Sequence, residues 1–79
     1  LGYLICSVEQ VDDSIMLNKF SNLEKPIAVI FGNEVDGVKQ SVIDKSDYCI
    51  EIPQIGTKHS LNVSVCVGIV LWDLYKKII

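Results

Sequence analysis

The sequence predicts an α/β domain: a parallel sheet with flanking helices. Three short apolar runs, at residues 3–8, 27–31 and 48–52, are the first reason. Their near-continuous hydrophobic character is that of strands covered on both faces, as in a parallel sheet. The segments between them are long enough for right-handed parallel crossovers. Each run gives way to a polar or glycine-bearing loop, at Glu9-Gln10, residues 32–37 and residues 54–60. In such a sheet these loops share one edge, beyond the carboxyl ends of the strands, where ligands gather.

Taken in order, Tyr3-Leu4-Ile5-Cys6-Ser7-Val8 reads as the first strand. Residues 11–20 carry Ile15, Met16, Leu17 and Phe20, a pattern that fits a short helix or helical turn capped by Asp13 or Ser14. Residues 21–26, ending in Pro26, are loop punctuation before the second strand, Ile27-Ala28-Val29-Ile30-Phe31. After residues 32–37, Val38, Val42 and Ile43 are spaced as one face of a short helix, closed by the polar residues 44–47. The third strand, Tyr48-Cys49-Ile50-Glu51-Ile52, is stopped by Pro53, which lacks a ladder donor.

Gly56 then permits dihedrals that a side chain would forbid, and Ser60 is a good N-cap for a helix over residues 61–78. That helix would be roughly 27 Å long. Asn62, a poor helix former in the first turn, is expected to point into the loop. Val63, Val65, Cys66, Val67, Ile69, Val70 and Leu71 make the first two thirds of the helix apolar on nearly all sides, which predicts burial all round. Gly68 allows close packing there, including by another chain. Lys76 and Lys77 suit the negative end of the helix dipole.

Composition sets limits on what such a domain does. Seventy-nine residues make one small domain, nearly half of it apolar, with a net charge of −3. All seven basic residues are lysines. An independent nucleic-acid-binding module would carry a basic stripe, and this chain has none. Cys6, Cys49 and Cys66 are odd in number, widely spaced and set in apolar context, which predicts reduced core thiols in a cytosolic protein. No CxxC or Cys/His cluster suggests a metal. The longest apolar run, residues 65–72, is far short of the ~20 residues that span a bilayer. The chain opens directly on strand-like residues with no initiator Met or signal peptide, so it reads as a piece of a longer protein.

The loop chemistry narrows the ligand. Residues 32–37, Gly-Asn-Glu-Val-Asp-Gly, place two glycines where a strand turns into a helix, which lets main-chain groups approach a ligand. The GxGxxG and GKS/T patterns are missing, and the two carboxylates would repel a phosphate. A ligand read by peptide groups, neutral or cationic near Glu34, fits better. The plain alternative is a turn and helix entry with no ligand, in which Glu34 only caps the helix.

Ile30-Phe31-Gly32-Asn33-Glu34-Val35-Asp36-Gly37-Val38, followed by Ile52-Pro53-Gln54-Ile55-Gly56-Thr57-Lys58-His59-Ser60-Leu61-Asn62-Val63-Ser64-Val65, closely resembles the second and third motifs of the SpoU-type (TrmH-like) RNA ribose 2′-O-methyltransferases. The likeness covers essentially the whole chain, and two long motifs at this separation form a specific match. It implies an α/β knot, in which the chain after the third motif threads a preceding loop and builds an S-adenosylmethionine pocket. Knots are rare exceptions to ordinary connectivity.

Carried over residue by residue, the resemblance puts Gly32, Ile52 and Leu61 at the methyl-donor pocket, through main-chain contacts. Glu34, Ser60 and Asn62 fall on the polar motif positions that shape the site and hold the substrate end. The family's first motif carries an asparagine and an arginine that help activate the ribose hydroxyl. This chain has neither that motif nor any arginine, so the resemblance implies that residues 1–79 are roughly the C-terminal half of one catalytic domain, with the remainder upstream of Leu1. It also implies RNA as substrate, tRNA slightly ahead of rRNA, a cytoplasmic setting, and a homodimer through the last helix.

Other readings stay open at this point. His59 and Lys58 fit local hydrogen bonding and solvated surface better than RNA contact. Trp72 and Tyr75 fit packing or a subunit interface better than base stacking. A non-catalytic module that keeps the pocket without the chemistry suits the acidic charge and missing arginine. A generic doubly wound ligand-binding domain would be unknotted and take no methionine-derived ligand.

Overall fold

A computed structural model describes residues 2–21, 23–32, 36–53 and 62–79. Their elements are β1 (Leu4–Val8), β2 (Ile15–Met16), a 3-10 turn (Leu17–Lys19), β3 (Ile27–Phe31), α1 (Gln40–Lys45), β4 (Tyr48–Glu51) and α2 (Val63–Ile78). The strands form one parallel sheet in the order β2-β4-β1-β3. The three expected strands are present, and β1 lies between the other two. Val8 sits level with both Phe31 and Ile50, so the carboxyl ends of β1, β3 and β4 are aligned.

Of the helix or helical turn expected over residues 11–20, a single 3-10 turn at Leu17–Lys19 forms. Ahead of it the Ser14 amide closes a tight turn on the Val11 carbonyl at 3.1 Å, and Ile15-Met16 extends as a fourth strand beside Ile50-Glu51. The Ser14 hydroxyl donates to Glu51 Oε1 at 2.6 Å and fixes that register. Leu17 and Phe20 are almost fully buried. The 3-10 turn directs both inward, and their spacing suits that geometry as well as an α-helix. Phe20 meets the Tyr48 ring edge-on at 5.4 Å between centroids.

Cys6, Leu17, Phe20, Ile50, Val70 and Leu74 form the buried core. Burial of a side chain such as Leu74 contributes about 1.5–3 kcal/mol. Cys6 has no exposed surface, and burial first, then Asp47 and Cys49, pushes its thiol up to about 11. Burial likewise raises Cys49 and Cys66, and none of the three cysteines is in a disulfide, though only Cys6 lies in the core. Ser7, the buried polar residue in β1, is satisfied: its hydroxyl lies 2.6 Å from Ser46 Oγ, which itself donates to the Val42 carbonyl at 2.8 Å. Ser7 therefore supplies the shared proton, and α1 is tied to the centre of the sheet.

At the opposite edge, Asp47 accepts from the Ile5 amide at 2.7 Å through its carboxylate and donates its own amide to the Ile5 carbonyl at 2.8 Å. The helix expected from about Val38 begins only at Gln40, because Val38 is itself buried in the preceding turn. Both departures are set by tertiary contacts that periodicity does not encode.

The last helix departs most from expectation. Only Val70 and Leu74, one turn apart, are buried. Val65, Ile69, Leu71, Trp72, Tyr75 and Ile78 are exposed, so burial all round is not achieved within this chain. One stripe of α2 packs inward, Val63, Cys66 and Val67 are half-buried, and the six residues just named as exposed face outward. Lys77 does more than complement the helix dipole. Its Nζ donates to the Leu17 and Phe20 carbonyls at 2.7 and 2.8 Å and lies 2.5 Å from Asp73 Oδ2. The Lys76–Asp73 pair, at 3.5 Å with the lysine half exposed, contributes little.

Lys77→Ala is therefore expected to cost about 2–3 kcal/mol, since it leaves the mostly buried Asp73 carboxylate only the weak Lys76 pair and takes a charged donor from the Leu17 and Phe20 carbonyls. Urea unfolding of the intact protein checks this; an unchanged midpoint would show that the clip is dispensable. Among the described residues, no helix is long and apolar enough to cross a membrane, and no cluster of His, Cys, Asp or Glu is arranged to hold a metal.

Candidate functional site

The aligned carboxyl ends of β1, β3 and β4 build the candidate site. β3 runs into Gly32 and β4 into Ile52, and the two strands flank β1, so these residues leave the sheet on either side of Glu9. Parallel pairing brings them to one edge although they are far apart in sequence. Ile52 packs against the core, which leaves its peptide groups as the part available at the edge.

The turn after β3 is unusually close to its own start. A Cβ on Gly32 would overlap the main chain of Gly37 and Val38. Gly37 has φ +67°, in the region that favours glycine, and a Cβ there would overlap the Glu9 carboxylate. Both glycines are thus required by the way the turn folds back on itself. The sequence reading assigned Gly32 the role of letting a ligand approach the backbone; what approaches Gly32 in this structure is the turn's own returning arm.

Glu9 completes the edge. Its amide donates to the Ile50 carbonyl at 3.1 Å and extends the β1–β4 ladder by one step. Its Oε1 accepts from the Val38 amide at 2.9 Å, and Oε2 accepts from the Gln10 amide at 3.3 Å. The sequence reading marked Glu9-Gln10 only as a polar loop. The available signal was an acid placed directly after a buried strand, and the long-range partner that gives it a role was not visible.

Asn62 caps α2. Its Oδ1 accepts from the Ser64 amide at 2.8 Å, and its backbone is non-helical at φ −57°, ψ 140°. This makes Asn62 the cap, in place of the expected Ser60, and sets the start of the helix at Val63 instead of residue 61. A short branched amide satisfies an orphan amide at a helix start better than it continues a helix. Glu34, Ser60 and Leu61, along with Lys58 and His59, lie outside the described residues. The structure thus brings Gly32 and Ile52 to one edge, puts Asn62 at the start of α2, and adds Glu9.

Residues 1–72 match the SpoU rRNA Methylase family. The chain belongs to that family. A tRNA (guanosine(18)-2′-O)-methyltransferase of Mus musculus is 38% identical over 72 residues, covering 91% of this chain and 4% of that protein. The crystal structure of the TrmH/SpoU tRNA-modifying enzyme of A. aeolicus superposes with a TM-score of 0.83 at 32% identity, over 96% of this chain and 38% of that one. An AdoMet-bound rRNA methyltransferase from Sinorhizobium meliloti shares the fold with a TM-score of 0.88 at 23% identity, over 99% and 30% of the two chains. The chain therefore spans well under half the length of each of these SpoU relatives.

Proposed function

We propose that this chain is the cofactor-binding half of a catalytic domain that transfers a methyl group from S-adenosylmethionine to a ribose 2′-hydroxyl of RNA. The observation that carries the reading is the convergence, on one sheet edge, of the two family motifs: Gly32 at the end of β3 and Ile52 at the end of β4. The names of the mouse and A. aeolicus SpoU relatives support a tRNA substrate, the family description supports rRNA, and the mouse name supports ribose 2′-O chemistry.

The chemistry of the edge fits the cofactor. Glu9 and Glu51 lie beside the two motif ends, and carboxylates favour a sulfonium cation where they would repel a phosphate. S-adenosylmethionine, when bound, supplies a methyl carbon already activated by the positive sulfur. This chain's part is binding and alignment. Peptide groups of Gly32, Ile52 and Leu61 would hold the adenosine, while Glu34, Ser60 and Asn62 would shape the substrate end. Alignment of the ribose oxygen with the methyl carbon is the larger share of catalysis in such a displacement. Removal of the hydroxyl proton needs a further group. With only lysines as basic residues, the chain has no arginine to assist, and that group belongs to another part of the protein.

The same reading makes residues 1–79 part of one domain, with an α/β knot in which the chain after the third motif threads a preceding loop. It makes the outward apolar face of α2 a homodimer interface and the setting cytoplasmic. The acidic charge and missing arginine favour a second reading, a module that keeps the pocket without transferring methyl groups.

Calorimetric titration of the intact protein with S-adenosylmethionine is expected to give a roughly micromolar Kd, about −8 kcal/mol. Methyl transfer to tRNA from the labelled donor is expected alongside it. Binding without transfer would select the second reading, and no binding would end both.

A further inference from the structure

We propose that Glu9 is a positioning residue for this pocket, its carboxylate clasping the returning arm of the turn after β3 and holding it against the ends of β1 and β4. The inference rests on the functional reading above and deepens it. Three observations join in one side chain. The Glu9 amide is locked into the sheet through the Ile50 carbonyl at 3.1 Å, so its side chain starts from a fixed base between the two motif-bearing strands. Its Oε1 takes the Val38 amide at 2.9 Å. Gly37, at φ +67°, has no Cβ where that carboxylate sits, and Gly37 in turn packs on Gly32.

The returning arm is thus held between two walls, Gly32 on one side and Glu9 on the other. The peptide groups proposed to read the adenosine leave the strand ends at this point, and their spacing depends on where the arm rests. A carboxylate bonded to a backbone amide is stronger than a neutral pair, and its geometry is set by a strand. Glu9 therefore prepares the pocket before any ligand arrives and lowers the cost of ordering it.

The test compares wild type, Glu9→Gln and Glu9→Ala in the intact protein. Glu9→Gln keeps an oxygen for the Val38 amide but turns a donor toward the Gln10 amide. Glu9→Ala keeps neither bond. The expected result is that Glu9→Ala weakens S-adenosylmethionine binding about tenfold and raises the methyl-donor KM in step, with kcat and the RNA KM much less affected. Glu9→Gln is expected to recover to within about threefold of wild type, because the neutral acceptor bond remains. The Val38 amide, followed by hydrogen exchange, is expected to lose protection in Glu9→Ala and keep it in Glu9→Gln.

Wild-type affinity in Glu9→Ala would overturn the proposal, as would equal losses in both variants. A variant that loses donor and RNA affinity together with thermal stability would show a general structural role instead, and would also overturn it. Glu9→Asp, whose shorter stem does not span to Val38, replaces Glu9→Ala where the latter does not fold. If wild type itself fails to bind S-adenosylmethionine, the functional reading falls, and Val38 exchange alone then decides whether the clasp exists.

Discussion

Gly32→Val is expected to abolish S-adenosylmethionine binding, a loss of at least about a hundredfold, equivalent to 2.7 kcal/mol or more. The added Cβ would enter the space held by the Gly37 and Val38 main chain, and backbone cannot swing aside as a flexible side chain can. The returning arm would have to lift from β3, breaking the Glu9–Val38 bond and separating the peptide groups that line the edge. Overpacking of this kind also strains the native state by about 1–3 kcal/mol. Gly32→Ala, the smallest such change, is expected to show the same loss in weaker form. Calorimetry with each variant measures the affinity, and urea unfolding separates it from stability. Unchanged binding in a folded Gly32→Val protein would remove the turn after β3 from the pocket.

The second large effect concerns α2. Replacing Ile69 and Trp72 together by Glu is expected to convert a dimer of the intact protein into monomers. Both residues lie on the outward face and neither belongs to the buried set, so the folded monomer keeps Val70, Leu74 and the Lys77 clip. Two carboxylates facing their own copies across a two-fold interface would be desolvated and would repel one another. Sedimentation at micromolar concentration reads the change directly. A wild-type protein that sediments as a monomer, or a variant that remains dimeric, would exclude a homodimer built on this face.

Much of this architecture could be read from local pattern, and the misses have physical causes. The runs at 27–31 and 48–52 were legible because continuous β-branched apolar residues, bounded by Pro26 and Pro53, have few other uses in a small domain. Residues 11–20 were legible as a helical turn but not as a strand, because Ile15, Leu17 and Phe20 bury their side chains equally well from a helix and from a short strand followed by a 3-10 turn. The choice between those forms was made by Glu51, which accepts the Ser14 hydroxyl from a distant strand. Likewise Asn62 looked ill-suited to a helix because it caps one. The motif residues Gly32 and Ile52 were identifiable from their resemblance to the SpoU family, whereas Glu9 belonged to neither quoted motif.

Residue order alone was enough to specify the parallel α/β class and the family. Those features depend on local propensity and on residue types at short separations, which a linear string preserves. Three matters were decided in space. β1 became the centre of the sheet, Glu9 met Val38, and α2 turned only its Val70–Leu74 stripe inward. Each depends on which distant groups a side chain meets once the strands align, a geometric outcome of packing that no single stretch of the chain contains.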